Sequence, residues 1–175
     1  MSSETRSSID VAIYSVSDIA PKLRAELDAW EARQFGHIYK WAPPEWYAAA
    51  KTEGELTGAL LVVTRRIDVG IESANVAGIG GVVTKPEHRK KGVATAMMHR
   101  AAELMRDRLD VEFGFLICRE QIAPVYEKAG WIRVSGPTRF WQPSGITTYP
   151  NETMILRLRA REWPGGPIDL RGLPW

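Results

Sequence analysis

The stretch Val82-Val-Thr-Lys-Pro-Glu-His-Arg-Lys-Lys-Gly-Val-Ala-Thr95 decides how the rest of the chain is read. Its apolar start predicts a strand, its basic middle a loop, and the residues after Gly92 a helix. A helix start carries unpaired backbone N–H groups and a partial positive charge, so anionic phosphate is stabilised there. Gly92 has no Cβ and lets the main chain come close to such a ligand. Ala94 keeps the first turn small, and Lys85, Arg89, Lys90 and Lys91 add positive charge. The spacing is neither that of a Walker loop, which needs Gly-Lys-Ser/Thr, nor Gly-x-Gly-x-x-Gly. Taken alone, the same residues also describe a solvated basic turn before a surface helix.

Working outward, Val93, Ala96, Met97, Ala101, Leu104 and Met105 recur at helical spacing while Glu103, Arg106 and Asp107 point elsewhere, which predicts a helix from Val93. Residues 111–118 form a nearly continuous apolar run, the pattern of a strand covered on both faces. Ile122, Val125, Tyr126 and Ala129 step helically as far as Gly130, a helix stop. Strands are predicted at 131–134 and 153–158, with loops rich in Pro, Gly and Trp between and after them. Upstream, the apolar run 77–84 is interrupted by Gly78, Gly80 and Gly81, and glycine inside a strand marks a bulge or a close backbone approach. Two strands at 57–65 and 67–72 read as a hairpin, and 11–16 as a first strand. Pro21 suits the first turn of a helix carrying Leu23, Leu27, Trp30 and Gln34 to about Phe35. Ala42-Pro-Pro-Glu-Trp46 breaks the chain, and a short helix is predicted through Ala50. The sum is a mixed α/β single domain.

Composition narrows the function classes. The 175 residues are 45% hydrophobic, enough for one domain with a proper core. The 23 basic and 21 acidic residues leave a formal charge of +2, which argues against a nucleic-acid partner held by a basic face. Disorder does not fit 7 Trp, 5 Tyr and 4 Phe. One cysteine excludes an intrachain disulfide and a multi-cysteine zinc site, and no metal site is indicated. The longest apolar run, Gly58-Ala-Leu-Leu-Val-Val63, is too short to cross a bilayer, and the polar Met1 to Ser8 shows no secretory signal. The expectation is a soluble, cytoplasmic protein without a membrane partner.

Arg89-Lys-Lys-Gly-Val-Ala94 resembles the acetyl-CoA pyrophosphate arm of the GCN5-related N-acetyltransferase superfamily, whose pattern is Gln/Arg-x-x-Gly-x-Gly/Ala. Pro124-Val-Tyr-Glu-Lys-Ala-Gly-Trp131 resembles that family's next block, a Tyr on a helix ended by Gly and an aromatic. The strand, arm, helix and buried strand fall in the family's order over residues 57–134. The resemblance implies an α+β fold: one mixed sheet with splayed central strands and flanking helices, and acetyl-CoA inserted at the splay. It implies that Val82, Val83, Arg89, Lys90, Lys91, Gly92, Val93, Ala94, Thr95 and Tyr126 contact acetyl-CoA. The Val83 amide would polarise the thioester carbonyl, and Tyr126 would protonate the departing thiolate. By spacing alone, on the apolar face with Ile122, Val125 and Ala129, Tyr126 is a core aromatic.

A narrower resemblance spans most of the chain. Gly130-Trp131 followed by Gly136-Pro-Thr138, then Pro143-Ser-Gly145, is similar to the aminoglycoside 2'-N-acetyltransferase branch. So are the closing Asp169-Leu-Arg-Gly-Leu-Pro-Trp175, and Arg65-Arg66 and Glu45-Trp46 upstream. The branch implies a substrate site built from Glu45, Trp46, Gly80, Asn151 or Glu152, Asp169 and the α-carboxylate of Trp175. Where the branch carries a Glu on the strand, this chain has Gly80, so the base falls to the Trp175 carboxylate or Glu152. Fewer acids imply a less cationic substrate, and kasugamycin, which bears its own carboxylate, fits that description. Tyr39, Trp41, Trp141 and Tyr149 are candidate sugar walls, or else close a small core and a dimer interface. On this resemblance 9–56 line the substrate side, 57–134 hold acetyl-CoA, and 135–175 add a substrate-side loop, the last strand and the tail. The branch further implies a homodimer. Other readings are acetylation of another small amine or a peptide N-terminus, or a sensor that keeps the fold without catalysis.

Overall fold

The structure, a computed structural model, describes residues 8–175; of the stretch Met1 to Ser8, only Ser8 lies within them. Two long strands form its spine, β3 (Glu55–Val69) and β4 (Glu72–Thr84), once β1 (Ile9–Ser15), α1 (Pro21–Phe35) and β2 (Trp46–Thr52) have passed. Then follow α2 (Val93–Asp107), β5 (Phe113–Cys118), α3 (Ala123–Glu127), β6 (Ile132–Val134), β7 (Thr138–Gln142), β8 (Gly145–Thr148), β9 (Glu152–Arg157) and β10 (Ile168–Asp169). All strands join one mixed sheet in the order β6-β9-β5-β4-β3-β10-β7-β8, with β2 also on β3 and β1 on β2. This is the mixed α+β architecture the sequence predicts.

Alternation along the spine creates two cores. Leu60 and Val62 point to one face with Met97, Met98 and Met105 of α2, while Leu61 and Val63 point to the other with Phe113, Phe115 and Trp175. Burying each large side chain contributes about 1.5–3 kcal/mol, so α2, with Val93, Met97, Met98, Leu104 and Met105 buried, is firmly seated. Helix α1 lies on the opposite face with only Leu27 buried.

Three predicted elements differ. Residues 46–52 form a strand rather than a helix. They pair with both β1 and β3, and a strand buried from Tyr47 to Ala50 has no alternation to separate it from a buried helix. The spine hairpin turns at Gly70-Ile71, not near Arg66; Val69 pairs with Glu72, and Gly70 takes φ +60. Arg65 and Arg66 are therefore mid-strand residues. After Val134, the predicted loops contain β7, β8 and β10, which are short strands punctuated by Pro143-Ser144 and Gly165-Gly166-Pro167.

Candidate active site

Strands β4 and β5 are parallel and pair only at Val76–Phe113, Ala77–Gly114 and Gly78–Phe115. Beyond that point they part, although both continue. The reason lies in β4, whose register against β3 shifts between Ala59 and Leu61. Gly81, at φ +57, is where the strand bends. This bulge turns the positions of Gly80 and Gly81 to one face. A Cβ on either would meet Leu61, at 3.4 and 3.1 Å.

The parted strands open onto a cavity of about 360 Å³. Gly80, Gly81 and Val82 line it from β4, and Leu116, Ile117 and Cys118 from β5. Tyr126 of α3 lines it, as do Glu31, Gln34 and Phe35 of α1. The walls include Tyr39, Trp41 and Tyr149, with Tyr39 edge-on to Trp41 at 5.5 Å. Of the four predicted aromatic walls, only Trp141 lies elsewhere, half exposed on the β7–β8 hairpin.

Trp175 closes the cavity where Gly78 and Gly80 leave room. A Cβ on Gly78 would stand 1.9 Å from the Trp175 indole nitrogen, and one on Gly80 would stand 2.3 Å from its main-chain carbonyl carbon. The space that a Glu side chain at position 80 would need is thus held by the Trp175 main chain. The tail is fixed by Arg65, whose guanidinium donates to the Leu170 and Leu173 carbonyls at 2.9 and 2.8 Å. The same group lies 4.9 Å from the Trp175 ring centroid. The Ala42 N–H donates to the Pro174 carbonyl at 2.7 Å.

Burial shifts three of the cavity's hydroxyl and thiol groups. Desolvation holds the Tyr126 hydroxyl well above the ordinary phenol range, with Cys118 and Tyr149 adding to it. The Cys118 thiol is pushed up to about 11 by burial, then by Glu152. Tyr149 is pushed up to about 12, again chiefly by burial. Cys118 is both a buried core residue and part of the cavity wall.

The basic arm lies beyond the bulge. Gly92 caps α2 at φ +87, and no side chain caps that helix start, so the first-turn N–H groups at Val93, Ala94 and Thr95 face outward. Lys90 also has positive φ, +59. Arg89 donates from Nε to the Thr84 carbonyl at 3.3 Å. Lys85 is less free than the sequence suggests, being paired with Glu55 at 2.6 Å. Val83 lines a second hollow, with Trp30, Arg33, Lys85 and Arg89, rather than the cavity itself.

Of the other predicted substrate residues, Glu45, Trp46, Glu152 and Asp169 do not line the cavity. The Glu45 carboxylate accepts from the Thr64 amide at 3.0 Å and the Thr64 hydroxyl at 2.7 Å. Trp46 is covered by the Arg108 guanidinium at 4.8 Å on the α2 side. Glu152 pairs with Arg133 at 3.5 Å, and Asp169 accepts from the Arg171 amide at 2.8 Å. Asn151 does line it. Sequence reasoning missed Glu31, although its place four residues after Leu27, on the inward stripe of α1, was a usable signal.

Comparison with known proteins agrees with this geometry. Residues 21–134 match the model of an acetyltransferase (GNAT) domain. The aminoglycoside 2'-N-acetyltransferase of Mycolicibacterium fortuitum is 27% identical over 113 residues, which cover 65% of this chain and 57% of that protein. Escherichia coli ElaA superposes with a TM-score of 0.62 at 13% identity, over 86% of this chain and all (100%) of that one. An acyl-CoA N-acyltransferase from Pseudomonas aeruginosa gives 0.58 at 19%, over 85% and 99%. E. coli YhbS, solved in complex with CoA, gives 0.56 at 14%, over 98% and 93%. Uncapped helix, bulged strand and parted sheet meet in one chain because it belongs to the GNAT acetyltransferase family.

Proposed function

We propose that the protein transfers the acetyl group of acetyl-CoA to an amine of an aminoglycoside, with kasugamycin as the preferred acceptor, and so confers resistance to it. The observation that carries this reading is the parting of β4 from β5 after Gly78–Phe115. It leaves the β5 side of the bulged strand without a ladder partner beside a cavity that Tyr126 lines. The arm fits the cofactor's pyrophosphate, since the helix start behind Gly92 has no side-chain cap and Arg89, Lys90 and Lys91 stand next to it. Val93, Ala94 and Thr95 supply the amides. When bound, acetyl-CoA supplies the activated acyl group.

The chain's own residues position the rest. The Val83 amide is assigned to the thioester carbonyl oxygen, where a fixed donor stabilises developing negative charge. Tyr126 delivers a proton to the leaving sulfur. The Trp175 main-chain oxygen, lying against Gly80, accepts from the ammonium of the acceptor. Few acids face the cavity, and Arg119 also lines it, which suits an acceptor carrying a carboxylate besides its amine. Tyr39, Trp41 and Tyr149 give flat walls for a sugar ring.

The reading is tested by CoA-thiol release from acetyl-CoA with kasugamycin, gentamicin, spermidine and a short peptide. Kasugamycin turned over best is the expected result; gentamicin alone turned over would remove it as substrate. CoA binding without thiol release on any amine would favour the sensor. In the arm, Gly92→Val is expected to weaken CoA binding by about tenfold or more, read by calorimetric titration. A side chain at φ +87 is strained by about 1–2 kcal/mol, and its bulk stands where the phosphates approach.

A further inference from the structure

Helix α1 brings one more acid to the cavity. Glu31 lies one turn after the buried Leu27, on the face that α1 turns to the sheet. It lines the same cavity as Gly80, Gly81, Tyr126 and Trp175. A Cβ on Gly81 would lie 3.4 Å from the Glu31 Cγ, so this side chain stands within van der Waals reach of the bulged strand. Its neighbour Asp28 takes the Tyr47 hydroxyl and pairs with Arg24 at 3.6 Å. Glu31 is left with no cation of its own among the described residues.

We propose that Glu31 is the group that takes the proton from the acceptor's ammonium before attack, an assignment that rests on the acetyltransferase reading above. The ammonium loses one proton to the Glu31 carboxylate, which passes it to solvent. The freed amine forms the N–C bond as the C–S bond breaks. The nitrogen's second proton is lost to solvent, and Tyr126, reprotonated from solvent, supplies the proton that ends on the sulfur. The sum is amide, CoA thiol and one released proton.

The electrostatics agree with the geometry. Burial raises the Glu31 carboxyl above its ordinary value, and Asp28 raises it further. A carboxylate held above its ordinary value is the better proton acceptor, so Glu31 suits abstraction. The charged and titratable groups facing Glu31 are Asp28, with Arg24 behind it, and Tyr47 of β2. Across the cavity stand Tyr39, Cys118, Arg119, Tyr126 and Tyr149; β4 contributes none.

The experiment compares the wild type with Glu31→Gln, using whichever amine of the panel the wild type turns over fastest. The expected deficit in kcat is about 100-fold at pH 6.5, with KM for acetyl-CoA unchanged, and it narrows to a few-fold at pH 9.5, where the amine is free without a base. A deficit that is the same at every pH, or below about threefold, overturns the proposal. Folding is controlled through linkage: a raised acid is ionised at a cost above its folded value and at none below its unfolded one. Glu31→Gln should therefore raise Tm at pH 8 and leave it unchanged at pH 4. Should no amine be turned over, the acetyltransferase reading falls separately, and a carbon-13 titration of the Glu31 carboxyl decides. A midpoint at or below about 4.3 overturns the assignment, and a higher one sustains it.

Discussion

Gly80→Ala is expected to lower kcat/KM for the acceptor by about a thousandfold while leaving CoA binding within about twofold of the wild type. A misplacement of 1 Å at reacting groups costs on the order of 100-fold, and here the displacement must be larger. The new Cβ would sit 2.3 Å from the Trp175 carbonyl carbon and 2.7 Å from its oxygen. Neither atom belongs to a flexible side-chain end, so the tail has to move as a unit. Arg65 and the Ala42–Pro174 hydrogen bond oppose that movement. Gly80→Glu, which restores the branch residue, should fare no better. Steady-state kinetics over both substrates, with CoA titration as the control, checks this. Wild-type rates in Gly80→Ala would mean that the tail's main chain takes no part in holding the acceptor.

The second large effect is expected at Tyr126. Tyr126→Phe removes one hydroxyl from a ring that is 7% exposed and packed in the α2 core, so the fold should survive. General-acid catalysis contributes about 10²–10⁴-fold, and kcat should fall within that range at unchanged KM for acetyl-CoA. Burial, aided by Cys118 and Tyr149, keeps the phenol protonated well past its ordinary titration range. An acid works only while protonated, so a raised value extends the active range upward. No alkaline limb from Tyr126 should appear below about pH 10. A limb near pH 8, or a loss under about threefold in the Phe variant, would assign leaving-group protonation to solvent.

Much of this was legible in the sequence because the deciding signals are local. The turn from strand to basic loop to helix is written in contiguous residues, and α2 begins at Val93 as its spacing predicts. Pro21 and Phe35 bound α1 as predicted. Gly80 and Gly81 flagged a disturbed strand without revealing which way it would turn. What the sequence hid is non-local. Ala48, Ala49 and Ala50 read as helix because nothing nearby says that two strands will flank them. Glu45, Glu152 and Asp169 are acids like any other until their partners Thr64, Arg133 and Arg171 come from elsewhere in the fold or the adjoining turn. Glu31 was hidden by the opposite circumstance, an acid on a helix stripe with no partner to announce it.

Helix α1 walls both hollows, with Glu31 and Phe35 toward the cavity, Trp30 and Arg33 toward the arm, and Gln34 lining both. Yet Leu27 is its only fully buried side chain. Elements with so little apolar anchorage open by local fluctuation far below the free energy of global unfolding. Its amides therefore belong among the first of any helix here to exchange with deuterium. Occupancy of either hollow is expected to slow that exchange, each ligand then meeting a helix already partly stilled by the other. Two chemically unlike molecules would in this way be coupled through the breathing of a single helix.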